Sequence, residues 1–559
     1  MIKSFRLTLY LAVVVFLSSC NSQQALSTDE RSAITKQDVR HAQNLLGLEF
    51  ESHRIDTLRT YLDRNLRGYD SIRSYSLPYE TFPAIIFDHH PIGYQLPDIQ
   101  DALRLDLEED FQRPEDDGDL AHSTITQLAS LIQSQQITST ALTQLYIDRL
   151  KKYNPTLQCA ITITEDLALA QAKRADEEIA RGEYKGLLHG IPYGTKDLMA
   201  VEGYVTTWGA TPYREQIIDH TATVIKKLEE AGAVLIAKLT SGALARGDVW
   251  FDGKTKNPWD TLQGASGSSA GPGSATAAGL VGFSLGTETL GSITSPSNRN
   301  GISGLRPTYG RVSRDGVMSL SWSMDKVGPM CRSAEDCAIV FDAIRGKDPL
   351  DNTTQDVGFA YESNGDISKL KIAYLENDIE KDTSKSKPNL IKALGVLDAM
   401  GIVRTPIALP TGYPFDGFDI ILRAEAGAMF DDLVRSGKVD LMVQQSKKSR
   451  ANSLRQARFI PAVEYIQANR YRRLLIEEVN KLFEAYDVII APTFGGRQLL
   501  ITNLTGHPVV TVPTGLDEEG HPTSMTFIGN LYQEGAILAF ANAYQKVTQH
   551  DEMKPPLFD

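Results

Sequence analysis

A chain of 559 residues with 42% hydrophobic and 23% charged residues has the make-up of a globular protein, large enough for several domains or one big domain with additions, and global disorder is excluded. Its formal net charge is −13 with no long basic run, which excludes a nucleic-acid-binding surface of clustered Lys and Arg. The surplus acid reads as a solubility feature.

At the N-terminus, Lys3 and Arg6 precede a mostly apolar run, Leu7 to Phe16, and then Leu17-Ser18-Ser19-Cys20. The run is too short to span a bilayer as a mature helix but suits the core of a signal peptide. Small residues before a cysteine resemble the lipobox of bacterial lipoproteins. That resemblance implies a signal peptide over 1–19, lipid on Cys20, export, and anchoring in the bacterial cell envelope on a membrane facing the periplasm or the exterior. An ordinary signal peptide or an uncleaved anchor is the alternative reading. Diacylglycerol plus an N-acyl chain supplies enough buried CH₂ for stable anchoring.

Residues 20–119 read as a polar tether to about residue 35 followed by a partly helical extension, with apolar positions at Leu45, Leu46, Leu48 and Phe50. The extension ends in an acidic stretch, Pro114 to Asp119, expected to be a loop. From 120 to 559 the pattern is α/β. A helical stretch follows Ser123 (Ile125, Leu128, Leu131, Ile132), and Ser139 is the expected cap of the next helix. Cys159–Thr164 reads as a strand, Leu167–Ile179 and Val224–Glu230 as helices, and Val234–Ala237 as a buried strand. Leu370–Tyr374, Leu390–Met400 and Ile402–Ile407 repeat the alternation. A long amphipathic helix, Val463–Ala485, runs into the strand Val488–Ile490. Helices alternating with short β-rich runs predict a central mixed sheet covered on both faces by helices.

Cys159, Cys331 and Cys337 read as small core residues, with Cys331 and Cys337 bracketing a helix start and not facing each other. No CxxC, HExxH or clustered Cys/His spacing occurs, so no metal site is expected.

The segment from Gly264 to Gly310 carries the chemistry. It opens Gly264-Ala265-Ser266-Gly267-Ser268-Ser269-Ala270-Gly271, continues Gly286-Thr287-Glu288-Thr289-Leu290-Gly291-Ser292-Ile293, and ends Gly304-Leu305-Arg306-Pro307-Thr308-Tyr309-Gly310. A flexible linker would lack its interleaved apolar run, Ala277–Leu285. Glycines let backbone N–H groups approach a ligand, and consecutive N–H groups in a turn make a concave anion site. Hydroxyls in such a cavity are candidate nucleophiles once a base takes their proton. A lysine can be that base if burial lowers its pKa. Gly190-Ile191-Pro192-Tyr193-Gly194-Thr195-Lys196-Asp197 places one lysine behind an apolar, Gly/Pro-shaped stretch. Gly267-Ser268-Ser269-Ala270-Gly271 also fits the G-x-S-x-G nucleophile elbow, but that elbow must follow an apolar strand and Asn257–Gly264 reads as a loop.

Taken together, G-I-P-x-x-x-K-D at Lys196, S-S at Ser268-Ser269, G-S-I at Ser292 and G-L-R-P-T-Y-G-R at Gly304–Arg311 resemble the amidase signature family. The intervals of 72 residues from Lys196 to Ser268 and 24 from Ser268 to Ser292 fit that family too. Ala491-Pro492-Thr493 and Thr505 to Pro513 match two further segments, so the resemblance covers roughly 120–555. It implies the amidase signature fold and a serine hydrolase cleaving linear carboxamides with a Ser–cis-Ser–Lys triad, free of cofactor and metal. Ser292 aligns with the nucleophile, Ser268 with the bridging serine preceded by a cis peptide, and Lys196 with the base. The backbone N–H groups of Thr289, Leu290, Gly291 and Ser292 align with the oxyanion hole, and Ser269 supports the site by hydrogen bonding.

Departures from the family pattern are Leu290, where a glycine is common and positive φ would strain a leucine, and Glu288, where Asp is common. Thr294 and Ser295 replace an Arg and an apolar residue. The Glu-Thr-x-Gly-Ser-Ile form resembles bacterial peptide amidases, implying a peptide or small-molecule amide substrate. A catalytically silent binding lipoprotein and an esterase with the same triad are the alternative functions. Monomer and homodimer both fit, and no nucleic-acid partner is expected.

Overall fold

The computed structural model describes residues 34–75, 77–108 and 111–558. The expected signal peptide 1–19, the lipid-attachment residue Cys20 and the tether to residue 33 lie outside the described residues. The chain divides into two units, Met1–Pro78 and Tyr79–Asp559.

In the first unit two helices follow one another, Lys36–Leu46 and Ser52–Arg73. Thr35 opens the first with a reciprocal capping box to Asp38, and Gly47 closes it at φ 64°.

The second unit is built on one eleven-stranded sheet. Its strands, in chain order, are β1 (Ala160–Ile163), β2 (Pro192–Lys196), β3 (Val234–Leu239), β4 (Phe283–Glu288), β5 (Ser303–Arg306), β6 (Lys326–Cys331), β7 (Ile372–Tyr374), β8 (Arg404–Pro406), β9 (Val488–Pro492), β10 (Val509–Leu516) and β11 (Pro522–Gly529). They lie side by side in the order β8-β7-β9-β11-β10-β5-β6-β4-β2-β3-β1. β2 runs parallel to both β3 and β4, while β4 is antiparallel to β6, so the sheet is mixed as the alternation predicts. Every residue of β2, β3, β4 and β6 is buried, because helices cover both faces here. That is why Val234–Ala237 reads as an unbroken apolar run. Lys196 and Glu288 are the last residues of two parallel neighbours, so both strands deliver their ends to the same edge of the sheet.

Several local expectations are corrected. The acidic stretch is a helix start: Asp116 Oδ1 accepts the N–H groups of Gly118 at 2.6 Å and Asp119 at 3.2 Å, opening the helix Asp117–Ala121. Acid at a helix N-terminus is stabilising, so charge density here marks a cap. Thr138, not Ser139, caps the helix Ser139–Leu157; Ser139 Oγ instead donates to the Gly190 carbonyl at 2.8 Å. The stretch before Ser268 is a small hairpin of Lys256–Asn257 and Asp260–Gly264. It is still no apolar elbow strand, since none of residues 260–264 is fully buried. The three cysteines are all buried free thiols. Cys331 and Cys337 do lie against each other: burial first, then the Cys337 thiol beside it, pushes the Cys331 thiol well above its ordinary range.

Tyr79 to Gln100 contains no helix or strand and lies as a strap on the second unit. Arg472 stands 3.4 Å over the Phe87 ring, and His89 and His90 reach Tyr532 Oη at 3.1 and 2.7 Å. Among the described residues no helix is long and apolar enough to cross a membrane.

Candidate active site

Lys196 ends β2 with its side chain fully buried. Its Nζ lies 2.8 Å from Ser268 Oγ, 2.9 Å from Thr287 Oγ1, 3.0 Å from Ser269 Oγ and 3.4 Å from the Thr287 carbonyl. No carboxylate within 4 Å pairs with it among the described residues. Burial therefore drives its pKa well below the ordinary lysine value, with Asp325 and Glu288 offsetting only part of that. The Gly267–Ser268 peptide bond is cis. Ser269 Oγ donates to the Thr287 carbonyl at 3.1 Å and accepts the Thr287 N–H at 3.2 Å.

Ser292 stands beside these serines: its carbonyl accepts the Ser269 N–H at 3.2 Å. Its Oγ makes no hydrogen bond among the described residues, and the residue is 9% exposed where Ser268 and Ser269 are closed in. The turn before it, Thr289–Ser292, links β4 to the helix Thr294–Asn300. Among the described residues the backbone N–H groups of Thr289, Leu290, Gly291 and Ser292 have no acceptor, four orphaned donors in succession. The structure thus brings Lys196, Ser268, Ser269 and the turn 289–292 together, while Cys20 lies outside the described residues.

The concern over Leu290 is resolved by Gly291. Positive φ falls on Gly291, at 85°, and Leu290 is not among the residues with positive φ. A side chain at 291 would also meet Leu499, 3.0 Å from the added carbon. Leu290 packs its side chain toward an apolar cluster that includes Met324, Phe418 and Ile421.

Four residues around the turn escaped sequence reasoning: Thr287, Asp325, Arg306 and Asn503. Thr287 supplies a hydroxyl to Lys196 from within the motif itself. Asp325 accepts Thr289 Oγ1–H at 2.5 Å and the N–H groups of Leu320 and Ser321 at 2.7 and 2.9 Å. Arg306 and Asn503 each donate to Glu288 Oε1 at 2.8 Å, while Glu288 Oε2 accepts the N–H groups of Ile293 and Thr294, both at 2.9 Å. Burial raises the Glu288 carboxyl, but Arg306 and these donors outweigh it and hold it at about 2. Of this network Glu288 left a signal in the sequence as a departure from the usual Asp, and Arg306 as part of the G-L-R-P-T-Y-G-R motif, while Asn503 left none.

Volume points elsewhere than chemistry. A cavity of about 1130 Å³ lies among the strap (80–88), the loop 350–353 and the helices Asp419–Met429 and Ala462–Leu482. Phe82, Phe87, Tyr309, Trp322 and Tyr465 line it, and none of Lys196, Ser268 or Ser292 does. The stretch 415–465 contributes Ala424, Glu425, Ala428, Ile460, Ala462 and Tyr465 to its wall. Among the described residues, two groups elsewhere could offer metal ligands, Asp88-His89-His90 and Asp517-Glu519-His521. In the first, His90 Nδ1 is engaged by Asp88 and both Nε2 atoms by Tyr532 Oη.

The profile of the Amidase family matches residues 141–502. The chain is 32% identical over 490 residues to the A component of the glutamyl-tRNA(Gln) amidotransferase of Carboxydothermus hydrogenoformans, spanning 78% of this chain and all of that protein. Among solved structures it is similar to the native peptide amidase of Stenotrophomonas maltophilia, with a TM-score of 0.69 and 28% identity over 78% of this chain and 99% of that one. An amidase family protein of Bacillus anthracis shares the fold at a TM-score of 0.69 and 24% identity, over 79% of this chain and 94% of that one.

Proposed function

The chain belongs to the amidase signature family, enzymes acting on carboxamides, and on that premise we propose that it hydrolyses amides through an acyl-enzyme on Ser292, with Ser268 as relay and Lys196 as base. One observation carries the reading: among the described residues, a fully buried lysine without a carboxylate partner touches three hydroxyls beside a turn whose four N–H groups have no acceptor.

Hydrogen-bond accounting supports the direction of proton flow. Ser269 gives its proton to the Thr287 carbonyl, so its oxygen faces Lys196 as an acceptor. An uncharged amine has two N–H donors and one lone pair. The donors go to Ser269 Oγ and Thr287 Oγ1, which leaves the lone pair for Ser268. Lys196 then takes the Ser268 proton as Ser268 takes that of Ser292, and Ser292 Oγ attacks the amide carbonyl. The oxygen that becomes negative accepts the N–H groups of the 289–292 turn, each worth about 3–4 kcal/mol in the transition state. Returning the proton to the nitrogen releases ammonia or an amine, and water cleaves the ester to the acid. Hydrogen bonds of this kind tighten once substrate is bound, which suits the unpaired Ser292 Oγ.

A peptide or small amide is the proposed substrate, supported by the Glu-Thr-Leu-Gly-Ser-Ile turn and by the similarity to a peptide amidase. Export and lipid attachment at Cys20 are proposed from the N-terminal sequence; mass spectrometry of the mature N-terminus, with and without Cys20→Ala, tests them. For the catalytic reading, Ser292→Ala abolishes both turnover and fluorophosphonate labelling in a protein that still folds. Near-normal hydrolysis by Ser292→Ala overturns it. Parallel assays on matched amides and esters separate an amidase from an esterase.

A further inference from the structure

We infer that Glu288 is a positioning residue: its buried carboxylate clamps the chain just after Ser292 and so aims the nucleophile and the unpaired N–H groups at one point. This deepens the Ser292 reading and rests on it. Glu288 is close in sequence to every group it would position, yet it touches none of the reacting atoms. Its Oε2 takes the N–H groups of Ile293 and Thr294, the two that follow Ser292. Holding the Ile293 N–H fixes the peptide plane on the carbonyl side of Ser292, and with it the rotation that sets where Oγ points. Engaging the N–H groups of 293 and 294 also separates them from the four that precede them, which stay without an acceptor among the described residues.

The clamp is itself anchored from three elements. Arg306 of β5 is paired to Oε1 at 2.8 Å with both side chains fully buried, and its other amine donates to the His507 carbonyl at 2.8 Å. Asn503, on the helix Gln498–Thr505, donates to the same oxygen and accepts from Lys326 Nζ of β6 at 2.8 Å. A carboxylate with four good donors cannot turn without leaving one of them unpaired in the interior, so it is a rigid reference for the turn. The Arg306 pair anchors the carboxylate, while its two backbone contacts run to the residues beside the nucleophile, Ile293 and Thr294.

The test uses the full chain and counts competent sites by fluorophosphonate titration, so that kcat is read per reactive Ser292. Glu288→Gln is expected to lower kcat per titrated site about 100-fold, the effect of misplacing an oxyanion donor, with KM little changed. Its lower pH limb shifts toward lower pH, because the Glu288 charge that raises the Lys196 pKa is lost. Because Glu288→Gln leaves Arg306 buried without its counter-charge, Asn503→Ala serves as the second variant. It keeps the ion pair, removes one anchor, and is expected to cost about tenfold in kcat per site by the same reasoning. Wild-type kcat per titrated site in both variants, with only the melting temperature lowered, overturns the inference. Turnover by Ser292→Ala would instead remove the nucleophile reading on which it stands.

Discussion

Two lysines end up in the interior on neighbouring strands and have opposite fates. Lys196 on β2 and Lys238 on β3 are both fully buried, and the strands pair so that Lys238 lies opposite Thr195. Lys238 Nζ has the Asp197 carboxylate at 2.9 Å and donates to the Val205 carbonyl at 2.6 Å. Burial lowers its pKa, and Asp197 pulls it back. Among the described residues Lys196 meets only hydroxyls and a carbonyl, and its pKa is lowered further. The lesson is that burial supplies the depressed pKa, whereas the partner decides what remains: a carboxylate keeps the cation and makes a fastener, while hydroxyls leave an amine free to serve the proposed base role.

The largest expected effect breaks the comparison at its functional end. Lys196→Ala lowers amide turnover by about 10⁴-fold, at the upper range for removing a general base, in a protein with wild-type circular dichroism. The pH profile belongs to the same test. On the proposed mechanism Lys196 works only uncharged, so wild-type hydrolysis is expected to fall about tenfold per unit as pH drops below its depressed pKa, as for one required base. Next, Lys238→Met strands Asp197 without its counter-charge and costs about 3–5 kcal/mol of stability by denaturant melts. Its folded fraction keeps the wild-type pH profile; a shifted profile would show that both lysines share the catalytic duty. Ser269→Ala removes the acceptor that fixes the Lys196 lone pair, for an expected loss of about 100-fold in kcat, at the low end for general-base misplacement. Thr287→Val removes the second acceptor but keeps the carbonyl, for about tenfold, a single hydrogen bond's worth.

The contrast also marks what sequence can convey. Lys196, Ser268 and Ser292 were legible because each sits in an ordered motif at a fixed interval. Lys238 in Ile236-Ala237-Lys238-Leu239 carries no such mark, since its partner becomes visible only once β2 and β3 are paired. Val234–Ala237 and Val488–Ile490 were legible as buried strands from their apolar runs. The hairpin before Ser268 was not, because its residues are polar and half-buried. Arg306 and Asn503 lie 18 and 215 residues from Glu288, so their convergence is a product of sheet order. The contact between Cys331 and Cys337 arises likewise, from a strand end folding back against a helix.

The strap has a practical corollary. The Amidase profile begins at residue 141, which tempts a recombinant start near residue 120. Such a start would strip Phe87 from the Arg472 guanidinium and take His89 and His90 from Tyr532. It would bare aromatic and cationic surface together, a recipe for clumping during purification. A soluble version is better begun ahead of Tyr79.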